Sequence, residues 1–333
     1  WKIRQITLHL HSERMENILY VNGRPMPLIG FGTWQAQDEA LENALEVALQ
    51  SGYRHIDTAP VYENEKIIGK VLHKWLASGK INRSDLFIVS KLPPGGNRPQ
   101  SVEKWIKKSL ENLQLDYFDL YLVHTPFAFI EDENDLHPMD EDGNIKVEKS
   151  TDHLKVWTEM EKQVEFGRAK AIGLSNFNIA QIQRLLSNCR IPIANLQIEH
   201  HLYCQQKKLV EFCNKNNITI TAYSPLGSRE VAKAFGKADM IPNILENPTI
   251  LELAKIYKKT PAQIALKFIL QKGIAAIPKS TNPARIKENR DLFGWSINDE
   301  DFEKLKQLDL EEEGRVCDFS FLKGIKDHPE FPF

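Results

Sequence analysis

About eight times between residues 28 and 292, a short apolar run is followed by an amphipathic one, and no other feature of the chain restricts the fold so far. Residues 28–32, 53–57, 86–91, 118–124, 169–175, 194–199, 218–224 and 274–279 have the length and the β-branched or aromatic content of buried strands. Between them apolar residues recur at helical spacing. The first such set is Ala40, Leu41, Ala44, Leu45, Val47 and Ala48, stopped by Ser51-Gly52. Further helices are expected near 64–77, 100–113, 151–166, 178–188, 205–216, up to 271, 283–292 and 299–308. Strands alternating with helices mean a parallel sheet covered by helices. That many units in this length favour a closed (β/α)8 TIM barrel. An open doubly wound sheet is the competitor. It wants a glycine-rich turn after the first strand, and Gly30-Phe31-Gly32-Thr33-Trp34-Gln35 lacks the third glycine.

Ahead of the first barrel strand, Ile18 to Val21 and Met26 to Ile29 flank Asn22-Gly23 and read as a β-hairpin. Long polar connections, about 127–150 and 225–246, follow the fourth and seventh strands, and a Phe- and Pro-rich tail closes the chain. No linker interrupts the rhythm, so residues 15–333 read as one domain. Residues 1–14 precede the orderly pattern and are expected to be an extension outside the fold.

A formal net charge of −2 supplies no electrostatic attraction for nucleic acid or an anionic membrane. No apolar run approaches the ~20 residues of a membrane span. The four cysteines form no CxxC pair, a reduced usage that points to a cytoplasmic location.

Three successive strand candidates end in a polar side chain: Asp57, with Tyr62 in the loop beyond, then Lys91, then His124. Catalytic groups of a parallel barrel collect at those ends. A free phenol, with a pKa near ~10, is a poor acid at neutral pH. An adjacent ammonium would lower that value. Lys91 can supply the ammonium, Asp57 can keep it charged, and His124 can offer an N–H to a carbonyl oxygen. Singly, each residue is more often structural: an ion pair, a packed ring, a core imidazole. Their shared placement favours a proton relay for reducing C=O.

The run Asp57-Thr58-Ala59 to Tyr62, then Lys91, then His124-Thr125-Pro126, strongly resembles the aldo-keto reductase superfamily. Supporting stretches are Gly30 to Trp34, Gly173 to Phe177, Asn195 to Glu199, Tyr223 to Gly227, Ile277 to Ser280 with Arg285 to Asn289, and the closing His328 to Phe333. The resemblance covers about residues 18–333. It implies a C-terminal loop over the active site, a monomer, a small-molecule carbonyl substrate, and NADPH as cofactor. It implies Ser175, Asn176 and Gln197 on the nicotinamide carboxamide, with Tyr223 under the ring. Thr33, Trp34 and Asp57 join the implied cofactor set. Ser224, Leu226 and Ser228 would line the pyrophosphate. Lys279, Ser280 and Arg285 would hold the 2′-phosphate, and Glu288 and Asn289 would reach the adenosine. Lys with Arg suits a phosphate dianion, which favours NADPH over NADH.

Two departures remove bulk from the implied pocket: Thr125 where many members carry Trp or Phe, and Leu92-Pro93-Pro94-Gly95-Gly96 where an aromatic often follows the lysine. Trp34, Phe127 and Phe129 remain as walls around Tyr62 and His124, with Phe319, Phe321 and Leu322 available from the tail. Such a pocket suits a bulky ketone. The stretch His124 to Phe129 is similar to the insect 3-dehydroecdysone reductases. A broad-specificity aldehyde reductase, with Thr125 incidental, and a non-catalytic NADPH-binding module are the alternatives. Relatives reducing steroid C=C bonds carry Glu in place of His124, so the imidazole argues for carbonyl reduction. Glu199-His200-His201 with Cys204 has no common zinc spacing, and no metal is expected.

Overall fold

The computed structural model describes residues 18–333, so the expected extension at 1–14 lies outside the described residues. Ile18–Val21 (β1) and Arg24–Pro27 (β2) pair antiparallel, as the Asn-Gly turn predicts. The barrel then runs Phe31–Gly32 (β3), Asp38–Gln50 (α1), His55–Asp57 (β4), Glu65–Ala77 (α2), Phe87–Leu92 (β5), Val102–Leu113 (α3) and Leu120–Val123 (β6). Within the first long connection, Ala128–Phe129 (β7) and Val147–Glu148 (β8) form a small antiparallel pair. There follow His153–Glu165 (α4), Ile172–Ser175 (β9), Ile179–Leu186 (α5), Asn195–Glu199 (β10), Lys207–Lys215 (α6) and Thr219–Tyr223 (β11). The second long connection holds the short helix Arg229–Ala234 (α7). Pro248–Tyr257 (α8), Pro261–Gln271 (α9), Ala275–Ala276 (β12), Pro283–Arg290 (α10) and Asp299–Lys306 (α11) complete the regular structure.

The eight parallel strands lie in the order β12-β11-β10-β9-β6-β5-β4-β3. The two edges meet through a parallel bridge between Ile29 and Ala276, where Gly30 N donates to Ala276 O at 2.8 Å and Ala276 N to Leu28 O at 2.8 Å. The sheet is therefore a closed (β/α)8 barrel. Glycine permits this seam, because a Cβ on Gly32 would sit 2.5 Å from the Ile277 carbonyl oxygen. The last strand is shorter than the run 274–279 predicts. Ile277 N still donates to Ala222 O at 3.1 Å, but Pro278 has no N–H to carry the ladder further.

Local chemistry starts the helices that the spacing predicts. Asp152 accepts from Leu154 N and Lys155 N to cap α4. Asn178 and Thr260 form capping boxes with Gln181 and Gln263. On α1, Leu41, Ala44, Leu45 and Ala48 are buried against the sheet face. A second apolar cluster joins Phe127, Phe129 and Ile145 of the first connection to Leu322 and Ile325 of the tail. It fixes the tail beside the C-terminal mouth of the barrel.

Candidate active site

Strand register decides which side chains meet. Asp57 is paired with Val89, and Lys91 lies two residues further along the same face of β5. Lys91 in turn is paired with Leu122, and His124 lies two residues beyond Leu122. Each strand thus presents its polar group one step nearer the mouth than the strand before. Tyr62 ends a 3-10 turn, Pro60–Tyr62, that folds the chain leaving β4 back over Lys91.

The Lys91 ammonium is fully buried and donates to Asp57 Oδ1 at 2.6 Å, to Thr58 O at 2.9 Å and to the Tyr62 hydroxyl oxygen at 3.2 Å. Gln197 Nε2 donates to the other Asp57 oxygen at 2.7 Å. The Tyr62 and His124 rings meet edge to face at 5.7 Å, with Trp34 at 6.5 Å from Tyr62. Burial pushes the Tyr62 phenol well above its ordinary range, and the Asp57 charge adds to the push. Lys91, expected to lower it, lies 3.2 Å from the hydroxyl oxygen, and burial together with the Asp57 charge outweighs it here. Burial also draws the Lys91 ammonium down, opposed by Asp57. Burial, helped by the Lys91 charge, holds His124 neutral, and its Nδ1 is buried without a hydrogen-bond partner. The cluster is a protonated phenol hydrogen-bonded to an ammonium, beside a neutral imidazole.

The cluster opens into a cleft of about 940 Å³. Thr33, Trp34, Asp57, Tyr62 and His124 line its floor, while Lys91 sits behind Tyr62. Ser175, Asn176, Gln197 and Tyr223 line one side, continuing through Ser224, Leu226 and Ser228 to Lys279, Ser280 and Arg285 at the far end. Tyr223 donates to Asn176 Oδ1 at 2.8 Å, and Asn176 Nδ2 donates to His124 O at 2.9 Å. Asn176, Ser224 and Ser228 have φ of 64°, 49° and 39°, left-handed conformations that cost energy in non-glycine residues and cluster at functional sites. Among the described residues, neither Lys279 nor Arg285 forms an ion pair. Glu288 and Asn289, expected to reach the adenosine, stand back from the lining. The Glu288 carboxylate accepts from Thr260 Oγ1 at 2.7 Å, and Asn289 is buried in α10.

On the other side the lining is apolar: Phe127, Phe129, Phe319, Phe321 and Leu322. Phe127 packs edge to face with Phe319 at 5.0 Å. Thr125 lines the cleft, and its hydroxyl is turned back to donate to Phe127 O at 2.9 Å. Sequence reasoning missed His137 and Val61, which also line the cleft. His137 lies on an irregular connection and Val61 in the single 3-10 turn that ends at Tyr62, where no periodicity marks a facing. It also missed the use of Glu199. That buried carboxylate accepts from Val316 N and Cys317 N, both at 2.7 Å, and from His201 Nε2 at 2.9 Å, tying the tail to β10. Among the described residues no cluster of three or more His, Cys, Asp or Glu could hold a metal.

The chain matches the Aldo/keto reductase family over residues 28–310. It is 43% identical to aldo-keto reductase family 1 member A1 of Gallus gallus over 288 residues, 86% of each chain. It is 38% identical to estradiol 17 beta-dehydrogenase 5 of Mus musculus over 330 residues, covering 97% of this chain and 98% of that one. The solved aldose reductase of Schistosoma japonicum superposes with a TM-score of 0.86 at 40% identity, covering 95% of this chain and 98% of the other. With a closed eight-stranded barrel and full-length similarity of this kind, the chain belongs to the aldo/keto reductase family of carbonyl-reducing oxidoreductases.

Proposed function

We propose that this protein reduces a bulky apolar ketone to an alcohol with NADPH, a steroid ketone such as 3-dehydroecdysone being the leading candidate. The observation that carries the substrate reading is Thr125. Its short side chain, folded back on Phe127 O, leaves room beside the aromatic wall of Phe127, Phe129 and Phe319. Similarity to an estradiol 17 beta-dehydrogenase supports a steroid-sized substrate.

The residues present fit NADPH. Lys279 and Arg285, both exposed and without ion pairs among the described residues, supply the donor set a 2′-phosphate needs. Ser175, Asn176 and Gln197 offer the hydroxyl and amide groups that would hold a carboxamide, and Tyr223 would lie under the ring. Bound there, the cofactor would supply the hydride.

The chain's own residues supply the proton. The Tyr62 oxygen accepts from Lys91, so its own proton is available to a carbonyl oxygen in the cleft. As the phenolate forms, the ammonium at 3.2 Å stabilises it, and Asp57 keeps that ammonium oriented. The neutral His124 ring can orient the carbonyl through an N–H without adding a competing charge.

Similarity to an aldose reductase favours a second reading, a broad-specificity aldehyde reductase. Steady-state NADPH oxidation with 3-dehydroecdysone and with a small aromatic aldehyde separates the two. A much higher kcat/KM for the steroid is the expected result. Turnover of the aldehyde alone would discard the steroid reading, and NADPH binding without turnover of either would make the chain a non-catalytic binder.

A further inference from the structure

The connection after β11 and the C-terminal tail both contribute to the lining of the cleft, the first through Ser224 to Val231 and the second through Phe319, Phe321 and Leu322. The two segments are joined to each other away from the cleft. Helix α7 ends at Ala234, and Gly236, two residues on with φ of 70°, reverses the chain and presents Lys237 to the tail. The Lys237 ammonium donates to Arg315 O at 3.0 Å and pairs with Asp318 Oδ2 at 3.0 Å. It is 12% exposed, so this pair is shielded from water more than an ordinary surface bridge. The other Asp318 oxygen accepts from Ser320 N at 3.0 Å and Ser320 Oγ at 2.6 Å. One carboxylate therefore both receives Lys237 and shapes the turn that carries Phe319.

Phe319 sits in that turn with φ of 58°, a left-handed conformation rare for a bulky residue and maintained only where the surroundings impose it. A second link runs beside the ionic one. Phe235, at the end of α7, stacks on Phe321 at 4.3 Å and 11°. Phe321 meets Phe319 at 6.2 Å, and Phe319 meets Phe127 at 5.0 Å. Lys237 itself does not line the cleft.

We propose that Lys237 is a positioning residue for the substrate wall: by holding Arg315 O and Asp318 it keeps Phe319 in its strained pose and so sets which carbonyl compounds fit. This rests on the reading of Phe127 and Phe319 as the substrate wall. It adds that the wall's shape is controlled from the connection after β11.

The test compares the full-length wild type with Lys237→Met, Asp318→Asn and Lys237→Arg. Two readouts are taken: steady-state constants for a ketosteroid and a small aldehyde, and hydrogen exchange of residues 315–322 in the protein without cofactor. Lys237→Met and Asp318→Asn are each expected to raise KM for the ketosteroid about five- to tenfold, with kcat and the aldehyde constants within about twofold of wild type. Exchange of 315–322 should quicken by about tenfold or more. Lys237→Arg should restore both. Equal changes for both carbonyl compounds, or wild-type exchange in Lys237→Met, would overturn the proposal. A wild type that does not turn over the ketosteroid would fail the substrate reading instead, and the exchange readout alone then decides the role of Lys237.

Discussion

The Lys91 ammonium donates to the Tyr62 hydroxyl oxygen at 3.2 Å and to Asp57 Oδ1 at 2.6 Å, and burial with the Asp57 charge raises the Tyr62 pKa. Tyr62 is thus held protonated in the resting protein and is stabilised as a phenolate only when the proton leaves.

Tyr62→Phe removes the donor without changing the ring. Carbonyl reduction should fall by about 10²- to 10⁴-fold. NADPH affinity, followed by fluorescence quenching, should stay near that of wild type. A variant with close to normal kcat would remove Tyr62 from the proton-donating role.

Lys91→Met leaves Asp57 buried with no cation. Breaking a buried pair on one side costs about 3–5 kcal/mol. Urea unfolding should show a loss of that order, and Asp57→Asn combined with Lys91→Met should recover part of it. Unchanged midpoints in the single variant would mean that Gln197 and water satisfy Asp57 without Lys91.

Lys279→Ala and Arg285→Ala should each raise KM for NADPH by about tenfold or more, since each removes a charge-assisted contact to phosphate. KM for NADH, which has no 2′-phosphate, should move little. Equal losses for both cofactors would place the 2′-phosphate elsewhere.

Acid should destabilise the fold before the carboxylates titrate. Burial lowers the pKa of His55, His124, His153, His200 and His328 below the ordinary histidine value. Below about pH 6.5 the unfolded chain binds protons at these sites that the folded chain does not, so stability falls with pH from there, by up to ~1.4 kcal/mol per pH unit per histidine. Urea midpoints measured at pH 7.5, 6.5 and 5.5 should decline over the lower interval. A flat profile between pH 6.5 and pH 5.5 would contradict the neutral burial of these rings.

Glu199→Gln keeps the shape of the side chain but weakens three hydrogen bonds, two of them from the tail. The loss should be about 1.5–3 kcal/mol, as for hydrogen bonds to a charged group. Hydrogen exchange should localise it to residues 315–318 and β10. Wild-type protection at Val316 and Cys317 would show that the aromatic contacts alone hold the tail.

The strand–helix rhythm and the placement of Asp57, Lys91 and His124 at strand ends were legible in the sequence. They depend on periodicity and neighbouring residues, which a single chain displays directly. The tertiary structure alone decided which of these groups meet. Asp57 bonds Gln197 across 140 residues, and Glu199 receives the tail across 117. Strand stagger and barrel closure set such pairings, and a one-residue change of register would turn the same side chains to the other face. The protonation of Tyr62 was decided there too, because a pKa follows from burial and the sum of nearby charges. So was the pose of Phe319, which the Lys237–Asp318 contact and its ring neighbours impose on a turn with no preference of its own for that conformation.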